Sequence, residues 1–258
     1  MDLSCCLWAL TAAPDSVEAA LEQVAGIGFE LIDVHPHTAG AEQIRKAGLR
    51  TSCVAVSAGA PKDAALHADD AASVSAALTY AYEALEYAAG LGATTAYVVP
   101  DPASGPEALP RYARALALVA DRAFQLDLRL CVEHFPGTPL PSVAATVGYL
   151  REIGHPNLHL VFDIGHAQMS KEDPPAAITA TGPLLGYVHL DDNDGVGDQH
   201  LALLDGVMKE EDLSRTFAAL AASPYAGPVS LELHPTLPDP AAALRRSREL
   251  VQRLLASN

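Results

Sequence analysis

Four consecutive apolar runs in the second half of the chain each stop on a carboxylate or an imidazole. Leu130-Cys131-Val132 stops at Glu133, Leu160-Val161-Phe162 at Asp163, Tyr187-Val188 at His189, and Val229-Ser230-Leu231 at Glu232. Short continuous apolar runs of this kind read as buried strands. Open parallel sheets and (β/α)8 barrels place their chemistry at strand ends. If the four runs are parallel neighbours, two Glu, one Asp and one His converge on one point.

The rest of the chain supports parallel neighbours. Strand-like runs cover residues 3–10, 29–34, 49–56, 94–99, 129–133, 158–163, 186–189 and 229–232. Helical patterns alternate with them. Pro14 opens one with Val17, Leu21 and Val24 on a single face, ended by Gly26. Others cover 41–47, closed by Gly48, and 71–89, closed by Gly90. Pro106 begins a helix with Leu109, Tyr112, Leu116, Val119 and Ala123 at helical spacing. The remaining helices cover 141–153, 174–180 and 210–222, with a last one from Pro240 that Asp239 can cap. Strict alternation argues for parallel strands, and eight units argue for a closed α/β barrel, a (β/α)8 TIM barrel, over residues 1–258 as a single domain. A doubly wound open sheet is the alternative, but no G-x-G-x-x-G or P-loop supports it.

The 258 residues, 50% hydrophobic, are enough for one large core. Acidic residues outnumber basic ones 32 to 16, for a formal charge of -16. Such a surface repels nucleic acid and anionic membranes. Cys5, Cys6, Cys53 and Cys131 form no C-x-x-C pair and fall in strand-like runs, which reads as buried reduced thiols. The first ten residues lack a secretory signal pattern, and no apolar stretch approaches the ~18 residues of a membrane helix. The expectation is a cytoplasmic protein with neither a membrane nor a nucleic-acid partner. A homodimer is compatible with a barrel of this size, though no interface is legible.

A mixed oxygen and nitrogen set of Glu133, Asp163, His189 and Glu232 suits one divalent ion, Mn, Zn, Co or Mg. Any one of these residues alone reads as an isolated polar strand end. Four in succession make coincidence the weaker account. With Asp163-Ile-Gly-His166-Ala and Val188-His189-Leu-Asp-Asp-Asn-Asp-Gly195, the set resembles the xylose isomerase-like TIM barrel superfamily. That group holds sugar isomerases, ketose epimerases, inosose isomerases and dehydratases, and the endonuclease IV branch. The resemblance covers nearly the whole chain in element order, with its motifs between Glu133 and Glu232. It implies that these four residues hold one metal and that Glu133 and Glu232 also serve as acid and base on opposite faces of a small polyhydroxylated substrate, a ketose or an inosose. His166 then hydrogen-bonds a substrate oxygen.

The resemblance also implies a second use for Asp198-Gln199-His200. In the endonuclease branch a D-x-H at this place joins the counterpart of His166 around another ion, so His166, Asp198 and His200 are candidates for a second metal. A substrate-contacting loop is the competing and preferred reading. Asp191 to Asp194 does not fit EF-hand spacing and reads as a solvated turn, with Asp192 lending support to His189. The expected activity is an isomerase or epimerase working through an enediolate, with a dehydratase sharing its first step. A multi-metal phosphodiester hydrolase is the alternative, weakened because residues 98–101 offer no histidine and the net charge is wrong for DNA. A sugar-binding barrel without catalysis is weakened by the two glutamates. No phosphate-cradling loop or basic cluster lies near the motifs. Trp8, expected to end the first strand, is a candidate pocket wall, with core packing about equal in weight. His134 and His234 neighbour the two glutamates, and strand alternation turns them away from the mouth.

Overall fold

The computed structural model describes residues 1–11, 16–102 and 104–257. Eight parallel strands close into a barrel in sequence order, β1 to β8, with β8 pairing back onto β1. They are β1 Leu3–Cys6, β2 Leu31–Val34, β3 Arg50–Ala55, β4 Thr95–Val98, β5 Arg129–Glu133, β6 Leu158–Asp163, β7 Leu185–Leu190 and β8 Val229–Leu231. Among the described residues the helices are α1 Val17–Ile27, α2 Ala41–Lys46, α3 Ala71–Gly90, α4 Leu109–Gln125, α5 Val143–Ile153, α6 Ile164–Met169, α7 Pro174–Thr181, α8 Glu210–Ala222 and α9 Pro240–Ser257. The (β/α)8 expectation therefore holds.

Several boundaries differ from the sequence reading, each for a local reason. Strand β1 stops at Cys6, and Leu7–Leu10 winds into a 3-10 turn, so Trp8 does not end a strand. Pro14 lies outside the described residues; Ser16 caps α1 by accepting from the Ala19 amide. Gly26 is helical, and α1 ends at Gly28, whose φ of 101° suits a residue without a Cβ. Gly90 is likewise the last residue of α3, and Gly92 takes the positive φ. Pro106 opens a 3-10 turn ahead of α4, and α5, capped by Ser142, starts at Val143, two residues inside its expected start. Asp239 caps α9 as expected, accepting from the Ala242 amide. Helix α6 is one turn more than the sequence pattern shows, because it begins directly after Asp163 with no intervening loop.

Two packed regions result. The larger lies between the sheet and the surrounding helices and includes Leu21, Ile32, Leu85, Leu116, Leu130 and Phe162. The smaller fills the barrel: Cys53, Ala55, Tyr97, Cys131, Val161 and Tyr187, with Trp8 packed against them. Successive strand side chains point to opposite faces. Cys131, Val161 and Tyr187 thus share their direction with Glu133, Asp163 and His189, two positions on. All four cysteines are buried and free, and burial pushes the Cys131 thiol up to about 12. No helix among the described residues is long and apolar enough to cross a membrane.

Candidate metal centre

Sheet register gathers the four strand-end residues. Asp163 pairs with His189 and His189 with Ser230, while the Glu232 amide extends the ladder by donating to the Leu190 carbonyl. Ligating atoms of Glu133, Asp163, His189 and Glu232 lie within 4.8 Å of one another. His189 is the hub. Its Nδ1 is 2.6 Å from Glu232 Oε2, 3.2 Å from Glu133 Oε1 and 4.0 Å from Asp163 Oδ2. Burial works against charge on this ring, but the opposing pull of Glu232, Asp33 and Glu133 holds it well above the usual imidazole range.

Three carboxylates around one imidazole gather acidic groups in a largely buried place, an arrangement that a bound cation would stabilise. Asp163 Oδ2 is buried and has no hydrogen-bond partner among the described residues. Desolvation raises the Glu133 carboxyl, and the nearby Glu232 charge raises it further, against the lowering effect of His189. Glu232 is held down at about 2: burial opposes this, and His189, His200 and His166 together overcome it. The donor set is what a divalent ion of borderline or hard character takes.

A second cluster sits beside the first. His166 Nε2 and His200 Nε2 lie 3.3 and 3.1 Å from the same oxygen, Asp198 Oδ1. His166 Nδ1 is 3.0 Å from the His134 carbonyl. A carbonyl only accepts, so Nδ1 carries a proton and donates. His200 Nδ1 is 2.9 Å from Asp191 Oδ2. Each imidazole therefore turns its Nε2 toward Asp198 while its Nδ1 side is held by protein. Burial works against charge on His166, yet Asp163, Asp198 and Glu133 raise it to about 10. Asp198 is lowered by its contacts with His166 and His200 in spite of burial.

The residues 191–194 correct the expectation of a solvated turn. Asp191, Asp192 and Asn193 are fully buried; Asp194 alone is exposed. Asp191 Oδ1 accepts from the Gly165 amide, and a side chain on Gly165 would collide with that carboxylate. Burial and the neighbouring Asp163 raise Asp191 to about 7, against His200. Asp192 does not support His189. It accepts from the amides of Asn193, Gly206 and Met208 and so ties the loop to itself.

The mouth opens into a cavity of ≈ 320 Å³ lined by His35, Tyr97, Glu133, Phe135, His166, His200 and Glu232, among others, with no Lys or Arg among the described residues that line it. Trp8 stands behind His35, their rings stacked at 4.3 Å. His134 points away from the mouth, as alternation requires, but it is not idle. Its Nε2 lies 3.1 Å from the Asp163 carbonyl and 3.2 Å from the Asp163 amide, and its ring meets His166 edge-on at 5.7 Å. Burial, then His166, pull it down to about 3. His234 instead pairs with Thr236. A larger cleft of ≈ 660 Å³, lined by Arg129, His159, Asn157 and Tyr225, opens at the opposite end of the barrel and holds none of the candidate residues.

Three residues near the centre escaped sequence reasoning. His35 and Tyr97 line the cavity, and Asp33 lies beneath His189. A lone acid inside the apolar run Leu31-Ile32-Asp33-Val34 was the available signal.

A family model for the xylose isomerase-like TIM barrel matches residues 17–254. D-psicose 3-epimerase of Agrobacterium fabrum (strain C58 / ATCC 33970) is 28% identical over 188 residues, 66% of this chain and 65% of that protein. The matched length is thus under two thirds of that relative. Among solved structures, L-ribulose 3-epimerase superposes with a TM-score of 0.82 at 21% identity, covering 100% of this chain and 95% of the other. D-psicose 3-epimerase in the presence of D-fructose gives 0.81 at 19% identity, covering 99% of each chain. At these identities the structural likeness speaks to the fold.

Proposed function

This chain belongs to the xylose isomerase-like TIM barrel family, and from that premise we propose that it is a divalent-metal-dependent epimerase or isomerase of an unphosphorylated ketose or related polyhydroxy ketone. The observation that carries the reading is the buried cluster of Glu133, Asp163, His189 and Glu232, with more carboxylate than its single imidazole balances. The 3-epimerase relative supports the reaction class. The cavity lining, free of Lys and Arg, supports a substrate without a phosphate.

Glu133, Asp163, His189 and Glu232 would hold one ion. When bound, a divalent cation supplies Lewis acidity to a carbonyl and its neighbouring hydroxyl and acidifies the adjacent C–H. One glutamate takes that proton, leaving an enediolate, and the other returns a proton to the opposite face or to the adjacent carbon. The two glutamates come from β5 and the end of β8, so they approach the cavity from different walls. His166 is oriented by the His134 carbonyl and offers its Nε2 to a substrate oxygen. Phe135, Tyr97 and His35, the last stacked on Trp8, which does not itself line the cavity, supply apolar and aromatic walls that limit water.

Incubation with a panel of ketoses and inososes in heavy water tests the reading. Deuterium at the carbon beside the carbonyl, lost after chelation and restored by added Mn, Co, Zn or Mg, is the expected result. No exchange with any of them in the metal-loaded protein overturns it.

A second ion at His166, Asp198 and His200 is the other reading that an observation favours. Both imidazoles turn Nε2 onto one oxygen of Asp198, and His166 has Nδ1 on the His134 carbonyl, as metal-bound histidines do, while His200 Nδ1 faces Asp191 Oδ2 at 2.9 Å. Metal per chain by native mass spectrometry decides between one ion and two.

A further inference from the structure

Asp33 is wholly buried inside the barrel, on β2, between Cys6 of β1 and Cys53 of β3. Its Oδ1 accepts from Ser4 Oγ at 2.8 Å and from Tyr187 OH at 2.7 Å. Because Tyr187 donates there, its oxygen accepts from Ser52 Oγ, 2.7 Å away. Oδ1 is therefore saturated. Among the described residues Oδ2 meets the Cys6 thiol at 3.8 Å and His189 Nε2 at 3.7 Å.

His189 Nε2 has no hydrogen-bond partner among the described residues, and the opposite nitrogen, Nδ1, faces Glu133, Asp163 and Glu232. The ring thus lies between the candidate metal ligands on its Nδ1 side and Asp33 on its Nε2 side. A buried acid that served only to satisfy Ser4 and Tyr187 would have no need of charge, and burying a carboxylate is costly without a cationic counterpart. The ring nitrogen within ion-pair distance of Asp33 among the described residues is His189 Nε2. Metal-bound histidines commonly give their second N–H to a carboxylate, which fixes the ring and strengthens it as a ligand.

We propose that Asp33, braced by Ser4 and Tyr187, is a positioning residue that engages His189 Nε2 from the barrel interior and thereby presents Nδ1 to the cation. The proposal rests on the metal reading above. It makes the barrel filling part of the metal centre: Ser52, Tyr187, Asp33 and His189 form one chain from the interior to the mouth.

The test compares metal affinity in wild type, Asp33→Asn, and the pair Ser4→Ala with Tyr187→Phe, which keeps the carboxylate and removes its braces. Metal-stripped proteins are titrated with Co²⁺ against a chromophoric chelator, with thermal melting of each apo form alongside. Asp33→Asn is expected to weaken Co²⁺ binding about 10- to 100-fold and to shift the Co²⁺ visible bands. The paired variant is expected to weaken binding less. A wild-type dissociation constant in Asp33→Asn, whatever its melting temperature, overturns the role of Asp33 alone. Wild type that takes up no ion overturns the metal reading and this proposal with it. Should Asp33→Asn not fold, wild-type protein loaded with Zn²⁺ and labelled with ¹⁵N-histidine gives the answer. A downfield, slowly exchanging Nε2–H on His189 supports the proposal, and a fast-exchanging one overturns it.

Discussion

Glu133, Asp163, His189 and Glu232 stand at or just beyond strand ends, whereas Asp198 and His200 hang from the connection 191–209 between β7 and α8. The inner four are placed by ladder register, so any sequence that closes this barrel delivers them together. The outer group is placed by a loop that must make its own geometry. His200 and Leu204 take positive φ, 44° and 71°, though neither is glycine. Asp192 gathers three amides, and an isolated bridge joins Asp192 to Leu201. The inner cluster is thus a property of the fold, and the outer one a property of one connection that can change without disturbing the barrel.

The sharpest way to break this contrast is at the inner glutamates. Glu133→Gln and Glu232→Gln each keep shape and remove a proton carrier, and each is expected to lower deuterium exchange into substrate by at least about 10³-fold. Near-normal exchange in both would show that they only bind. Asp163→Ala is expected to abolish inner-ion binding, read by elemental analysis, while leaving barrel circular dichroism intact. Asp198→Ala should act on the outer group alone: either the second ion disappears from native mass spectra, or one ion remains and KM rises about 10-fold. Loss of the inner ion in that variant would mean the clusters are one unit.

Gly165 is where the clusters touch, its amide on Asp191 and its Cβ space taken by that carboxylate. Gly165→Ala is expected to cost about 1–3 kcal/mol in urea unfolding. It should disturb His200 and Asp198 more than His189, which histidine NMR would show. The smallest effect concerns His134. Its folded pKa of about 3 lies below the unfolded value of ~6.5, so the unfolded chain binds the proton first. Stability is therefore lost as pH falls from ~6.5 toward 3, and His134→Gln should flatten that part of a urea-midpoint profile.

The barrel and the inner four were legible because both are local patterns: an apolar run, its stop, and the return of another run. The loop 191–194 was not. Asp-Asp-Asn-Asp-Gly reads as a solvated turn because the local amides on Asp192 and Asp194 do not reveal burial, and the amides that bury Asp191 and Asp192 are distant in sequence. Those amides belong to Gly165, Gly206 and Met208, which only the fold brings close. Asp33 was hidden for a similar reason. Its partners Ser4 and Tyr187 lie on β1 and β7, and only closure of the ring sets them face to face. Trp8 was misplaced by one element, since a strand and a 3-10 turn of apolar residues look alike when both are short.

The seam between β1 and β8 carries one more consequence. Ser4 pairs with Ser230, so the first strand waits for almost the entire chain before its second edge is covered. During synthesis on the ribosome the growing sheet keeps two unpaired edges until the last strand emerges. Such edges invite pairing with other nascent chains. Closure is a late, long-range event, and loop closure of this kind slows folding. Truncation just before β8 would leave a sheet of seven strands with both edges open, a species prone to aggregate rather than a smaller working barrel.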